Sequence, residues 1–169
     1  MSILSPIQSR RFNRQAKEKD LQIITFLLYQ EWFALKLEDV NKVILLNDIY
    51  GDPKGTGVSL TTYQNQELVV IDVSYKIFGN SPNYQTNIDM LKNKEEPSYL
   101  IILENSQGEK ISLPIDKAPL IKRVKETSFK PLPEIYLKRE NIKCLSSKII
   151  EVVNESPSHY FLLDKNKLF

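Results

Sequence analysis

The chain has 169 residues, 41 % of them hydrophobic and 26 % charged, which suits one domain, or two small subdomains sharing a core. Its formal net charge is +2; the first twenty residues carry five basic side chains against two acidic ones, a net of +3, leaving −1 for the remainder. No strongly basic body is present to track a phosphate backbone.

No apolar run approaches the ~20 residues needed to cross a bilayer as a helix. The opening "MSILSPIQSRRFNRQAKEK" has no long apolar stretch after a basic start, so it does not read as a secretory signal. A single cysteine, Cys144, excludes an internal disulfide framework. A cytoplasmic protein without direct membrane insertion is expected.

Residues 1–19 are polar, basic and without sustained periodicity, and are expected to form a flexible tail. "LQIITFLLYQEWFALKL" holds two apolar stretches rich in β-branched and aromatic residues. It predicts a tight hairpin, Leu21–Tyr29 with Trp32–Leu37, turning at Gln30-Glu31. Val40–Leu46 predicts a third strand, and Asn47–Gly57, "NDIYGDPKGTG", a loop. A second hairpin follows, Leu60–Tyr63 with Glu67–Val73, turning at Gln64-Asn65, where Asn65 tolerates positive φ. "VSYKIFGN" has apolar residues at helical offsets and Gly79 as a helix stop. Asn80 to Glu96 reads as a long connection that divides the chain, with subdomain 1 at about 20–79 and subdomain 2 at about 97–169.

The second half repeats the theme. "SYLIILENSQGEKISLPID" predicts two strands around Ser106-Gln107-Gly108, and "PLIKRVKET" another. Pro131 and Pro133 limit any helix in "SFKPLPEIYLKREN" to a short one. A last hairpin is expected around Asn154–Ser158, with Ser147–Val153 ambiguous between strand and helix. Many short strands and few helices predict an all-β barrel architecture.

No constellation of residues carries chemistry. His159 is the sole histidine and reads as a surface or turn residue. Cys144 has no local base to activate it and reads as a small buried hydrophobe. "GDPKGTG" lacks the Gly-Lys-Ser/Thr ending of a phosphate loop and runs into a strand rather than a helix. Asp72, Asp116 and Asp164 each follow an apolar strand and are expected to cap a turn or short helix. Trp32 suits an interface anchor or a semi-buried strand position about equally.

Four blocks stand in order: "IITFLLYQEWFALKLEDVNKVI", "LTTYQNQELVVIDVSYKIFG", "YLIILENSQGEKISLPIDKAPLIKRV" and "IKCLSSKIIEVVNESPSHYFLLDKNKLF". This order resembles the CheW family, the coupling proteins of bacterial chemosensory arrays, across about Leu21 to Phe169. The resemblance implies an all-β fold of two small five-stranded β-barrel subdomains sharing a hydrophobic zone, with one or two short helices. It implies no enzymatic activity, no cofactor and no metal. The implied partners are the regulatory domain of a CheA-type histidine kinase and the cytoplasmic tip of a chemoreceptor or a divergent receptor. No nucleic-acid partner is expected.

Family members commonly carry Asn-Leu-Arg-Gly in the hairpin before the "VVPVIDL" block, and the arginine helps to contact the receptor. Those positions fall here on Thr62, Tyr63, Gln64 and Asn65, so the arginine is replaced by Gln64. The family's Val-x-Glu-Val falls on Val40-Asn41-Lys42-Val43, so an acid has become Lys42. The resemblance thus implies Val40, Lys42, Thr62, Gln64 and Asn65 as receptor-docking candidates, with a rewritten charge code. It assigns no kinase-docking residue; kinase binding is expected through an apolar patch with a polar rim on the second barrel, which should begin at Ser98–Glu104 and run through Ile111–Ile115. The rival reading is a small nucleic-acid-binding β-barrel using the basic N-terminal tail, and an enzyme is the third.

Overall fold

The computed structural model describes residues 18–52, 55–79, 91, 94–138, 142–152 and 158–169. Eleven strands are described: β1 Asp20–Leu28, β2 Glu31–Lys36, β3 Val40–Leu45, β4 Val58–Tyr63, β5 Gln66–Ile71, β6 Tyr99–Glu104, β7 Lys110–Ile115, β8 Leu120–Lys125, β9 Phe129–Pro131, β10 Leu145–Val152 and β11 Ser158–Leu163. Among the described residues, two short helices with full spans accompany them, α1 Val73–Phe78 and α2 Glu134–Leu137.

The strands form a six-stranded sheet, β8-β1-β2-β11-β10-β9, and a five-stranded sheet, β3-β6-β7-β5-β4. Each is barrel-like but not closed. In the first, the two edge strands β8 and β9 are joined by the single 3-10 turn Glu126–Ser128, so a short link spans the seam. Each sheet contains one parallel pairing among antiparallel ones, β2 with β11 and β5 with β7.

The subdomains do not follow the two halves expected from the chain. The first sheet takes β1 and β2 from the start and β8 to β11 from the end, while β3 to β7 form the second. The chain enters one barrel, crosses to the other, and returns. The connection at 80–96 therefore lies between strands of a single sheet. Its polar composition marked a loop but carried no information about which strands would pair across it.

The shared hydrophobic zone explains why β1 reads as a continuous apolar run. Ile24, Phe26 and Leu28 face the central core with Phe33, Leu35, Ile101, Leu103 and Leu113. Ile23, one residue out of phase, faces the interior of the first barrel with Ala34, Val124, Ile150, Tyr160 and Leu162. Strand side chains alternate, so a strand buried on both faces loses its polar alternation. The interior of the second barrel is smaller and partly polar. Val70, Leu100 and Ile49 pack there. Thr61 Oγ1 donates to the Asp48 carbonyl at 2.5 Å, and Ser112 Oγ to the Val69 carbonyl at 3.0 Å.

Local signals placed most boundaries within a residue or two. Ser147 to Val152 resolves as strand, within β10. The loop of the last hairpin, at 153–157, lies outside the described residues. The first turn falls at Tyr29-Gln30 rather than Gln30-Glu31, with Tyr29 at φ 62°. Its ring stacks on Phe78 of α1 at 5.2 Å, a tertiary contact that holds an unfavourable backbone conformation in a non-glycine residue. The expected tail falls almost wholly outside the described residues. Glu18 and Lys19, however, are fastened to β8 and its link: Glu18 pairs with Lys125 and accepts from Thr127 Oγ1, and the Glu126 amide donates to the Lys19 carbonyl at 3.0 Å.

Candidate functional site

The second hairpin is built as the turn chemistry requires. Gln64 and Asn65 have φ of 51° and 61°, and a two-residue type I′ turn needs both central residues at positive φ. The turn sets Tyr63 opposite Gln66 and Thr62 opposite Glu67. Thr62, Gln64 and Asn65 are exposed at its tip.

Lys42 reaches the same place from the other side of the sheet. A register shift between Val40 and Lys42 pairs Val40 with Leu103 and Lys42 with Ile102. This β-bulge separates two residues that regular alternation would put on one face. Val40 is half-buried against the central core. Lys42 is turned to the inner side of the curl, and its Nζ donates to the Tyr63 hydroxyl at 3.4 Å. β3 and β4 are opposite edges of the sheet, so this contact spans the open seam. Further along, backbone bonds between Tyr50 and Leu60, at 2.8 and 2.9 Å, tie the segment after β3 to β4 by an isolated bridge, and the Tyr50 hydroxyl lies 2.9 Å from Thr62 Oγ1.

The structure thus gathers Lys42, Thr62, Gln64 and Asn65 at one rim and sets Val40 apart. Tyr63 and Tyr50, which sequence reasoning did not single out, complete the rim. The two-residue period of β4 already put Tyr63 on the same face as Ser59 and Thr61. Nothing local could announce that Lys42 would face it.

The surrounding carboxylates are engaged elsewhere. Glu104 accepts from Asn41 Nδ2 at 3.0 Å, and Asp39 pairs with Lys165 at 3.6 Å. Among the described residues Lys42 has no acidic partner.

The remaining candidates have structural roles. The Asp72 carboxylate accepts from the Tyr75 amide at 3.0 Å and from Ser74 Oγ at 2.6 Å, capping α1. Asp164 accepts from the Asn166 amide at 3.0 Å, capping a closing 3-10 turn. Asp116 differs from the expected cap and pairs with Lys94. Burial pushes the Cys144 thiol above its ordinary range, which favours the protonated form. His159 is exposed on β11. Trp32 is partly exposed, edge-on to Tyr160 with centroids 6.1 Å apart. Among the described residues, no three metal-ligating side chains converge, and no helix is long and apolar enough to cross a membrane.

Within the "GDPKGTG" stretch, the described residues 55–57 are held by Asp52. The Asp52 carboxylate accepts from the Thr56 amide at 2.7 Å, the Thr56 hydroxyl at 3.1 Å and the Gly57 amide at 2.9 Å. These bonds, the Thr56 amide foremost, hold the Asp52 carboxyl below the usual carboxylate range. The amides that a phosphate loop would offer to a ligand are already filled from within.

Comparison with known proteins agrees with this architecture. The family model of the CheW-like domain matches residues 22–169. The scaffolding protein TtCheW from Thermoanaerobacter tengcongensis is similar in structure, with a TM-score of 0.63 and 17 % identity over 86 % of this chain and 85 % of that one. No curated protein matches the chain. The family model takes in all but the first two residues of β1 and every strand after it, and on that match the chain belongs to the CheW-like family.

Proposed function

We propose that this protein is an adaptor of a bacterial chemosensory pathway. It holds a CheA-type histidine kinase, through the regulatory domain, to the cytoplasmic tip of a chemoreceptor or a divergent receptor. The observation that carries this reading is the CheW-like match over 22–169, which includes both barrels. The exposed hairpin tip at Gln64-Asn65, flanked by Lys42, supports it as the receptor-facing surface. Small curled sheets leave edge strands and rims that suit protein partners. The role is cytoplasmic and non-enzymatic: the protein works by binding two partners at once and needs no cofactor.

The side chains of Leu100 to Leu103 and Ile111 to Ile115 on β6 and β7 are buried, so a kinase-facing patch is better sought elsewhere. The exposed large apolar side chains lie elsewhere, including Leu120 and Ile121 on β8 and Ile135 and Leu137 on α2, and the patch is drawn from these.

The test is a binding measurement. Purified protein is titrated with the regulatory domain of the chemosensory kinase from its own organism and with a soluble receptor tip. Binding to both, and a ternary complex, is the expected result. Absence of any association with the kinase domain would remove the reading's main support.

A further inference from the structure

The rim at the seam of the second barrel carries a cation with no acidic partner among the described residues. Lys42 Nζ is exposed, held at 3.4 Å by the Tyr63 hydroxyl. That bond uses a lone pair of the phenol oxygen and leaves the phenol proton free to be donated. An ammonium and a phenol hydroxyl therefore converge on one point of the surface. Two convergent donors, one of them charged, suit a carboxylate. Three described acids on neighbouring strands and turns do not fill this role. Glu67 sits opposite Thr62, on the other face of the hairpin from Tyr63, while Asp39 and Glu104 are engaged with Lys165 and Asn41.

The hairpin itself brings no charge to this surface. Gln64 and Asn65 are neutral at the tip, so among the described rim residues Lys42 carries the charge. The β-bulge gives Lys42 its place: without the register shift it would share a face with Val40 and point toward the central core.

We infer that Lys42, positioned by Tyr63, is the group through which this adaptor reads its receptor, and that the receptor helix docking on the seam presents an Asp or Glu side chain to it. This rests on the adaptor reading above and goes beyond it by naming the recognition chemistry. A partner with a lysine or arginine at that position is rejected by like-charge repulsion. A nucleic acid is the weaker fit, because a phosphate backbone is gripped by many cations at once and the chain beyond its first twenty residues carries a net of −1.

The experiment uses the full chain and, as probe, a soluble receptor tip fragment from the same organism. Its exposed acidic residues are changed singly to lysine. Affinities are measured at two salt concentrations, with the kinase regulatory domain and a single-stranded oligonucleotide as parallel probes. Lys42→Met is expected to weaken tip binding roughly tenfold and to flatten its salt dependence, while Lys42→Arg keeps most of both. Lys42→Glu is expected to lose tip binding and to regain it with one acid-to-lysine tip variant. Thermal melts of all three variants should match the native chain, because the side chain is exposed.

Native binding to the tip that is unchanged in affinity and salt dependence by Lys42→Met would overturn the inference and leave the adaptor reading standing. Kinase binding without tip binding would overturn the inference together with the receptor arm of that reading. Binding to neither partner would sink both. Oligonucleotide binding that is lost in Lys42→Met, with tip binding untouched, would assign the cation to nucleic acid and overturn the inference as well.

Discussion

The ammonium of Lys42 lies 3.4 Å from the phenol oxygen of Tyr63, although β3 and β4, which carry them, are opposite edges of one five-stranded sheet. The sheet has curled until its edges nearly meet, and at this end a pair of side chains bridges the gap instead of a backbone ladder. Such a contact between exposed groups contributes little to stability. Tyr63→Phe should therefore shift the thermal midpoint by no more than a degree or two. It should still loosen the Lys42 side chain, which nuclear magnetic resonance of the lysine ammonium would detect. A midpoint loss of many degrees would show that this contact holds the barrel together.

Gln64→Arg should also leave folding intact. The side chain is exposed, and substitutions of that kind usually change stability by no more than ~0.5 kcal/mol. The new cation would stand beside Lys42 at the same rim. Binding to an acidic receptor tip should then strengthen and become more salt-dependent. Unchanged binding by titration calorimetry would mean that the hairpin tip is not in the contact.

The cap of α1 stabilises the fold more than either rim contact. Asp72 is buried and serves both the Tyr75 amide and the Ser74 hydroxyl. Removing an N-cap acceptor costs about 0.5–2 kcal/mol, and here a buried hydroxyl also loses one acceptor. Asp72→Ala should lower the midpoint by several degrees, at roughly 2–4 °C per kcal/mol for a chain of this size. Hydrogen exchange should localise the loss to α1 and to the Tyr29 turn stacked on Phe78.

Asp52 links the preceding loop to pH. Its folded carboxyl is held below the ordinary range, chiefly by the Thr56 amide. A carboxylate depressed in the folded state contributes stability that is fully present above its unfolded value. That stability is lost as pH falls through the folded one. Order in the 55–57 segment should hold at neutral pH and loosen under acid, below the usual carboxylate range. Asp52→Asn should show the loosened state already at pH 7. Gly57→Ala attacks the same segment sterically: its φ is +77°, and an added Cβ would lie 2.6 Å from Tyr75 Cδ1. A midpoint loss of several degrees is expected from the left-handed backbone alone, at ~1–2 kcal/mol.

Cys144 supplies a probe of the core. Its thiol is buried and raised in pKa by that burial, so it stays protonated at neutral pH. Alkylation by iodoacetamide should be slow in native protein and fast in denaturant. Rapid native labelling would show that the closing segment around β10 opens readily.

Exposure chooses the variants for the kinase surface. Ile121 and Ile135 are 60 % and 66 % exposed, so truncating them removes little buried area. Alanine at either position should leave the melt unchanged. At the position that belongs to the kinase patch it should weaken binding of the regulatory domain. If neither variant changes kinase affinity, the patch lies among other exposed apolar residues such as Leu45 or Leu137.

The sequence by itself determined most of the strands and turns, and the family. Period-two patterns and turn residues act over a few neighbours, so β4, Gln64-Asn65 and β5 could be read directly. The helix stop at Gly79 and the cap at Asp72 were legible for the same reason. Tertiary structure decided what pairs with what. The return of the chain from the second barrel to the first, through β8, depends on which apolar faces bury together, and no short window contains that choice. The Tyr29 turn was misplaced by one residue because the ring that holds it, Phe78, lies 49 positions away. The rim was half legible. The hairpin announced itself, but the bulge that turns Lys42 away from Val40 arises from pairing with β6, some sixty residues further on. A register shift costs no characteristic residue, so it leaves no mark in the sequence, and only the paired strands reveal where the charge comes to rest.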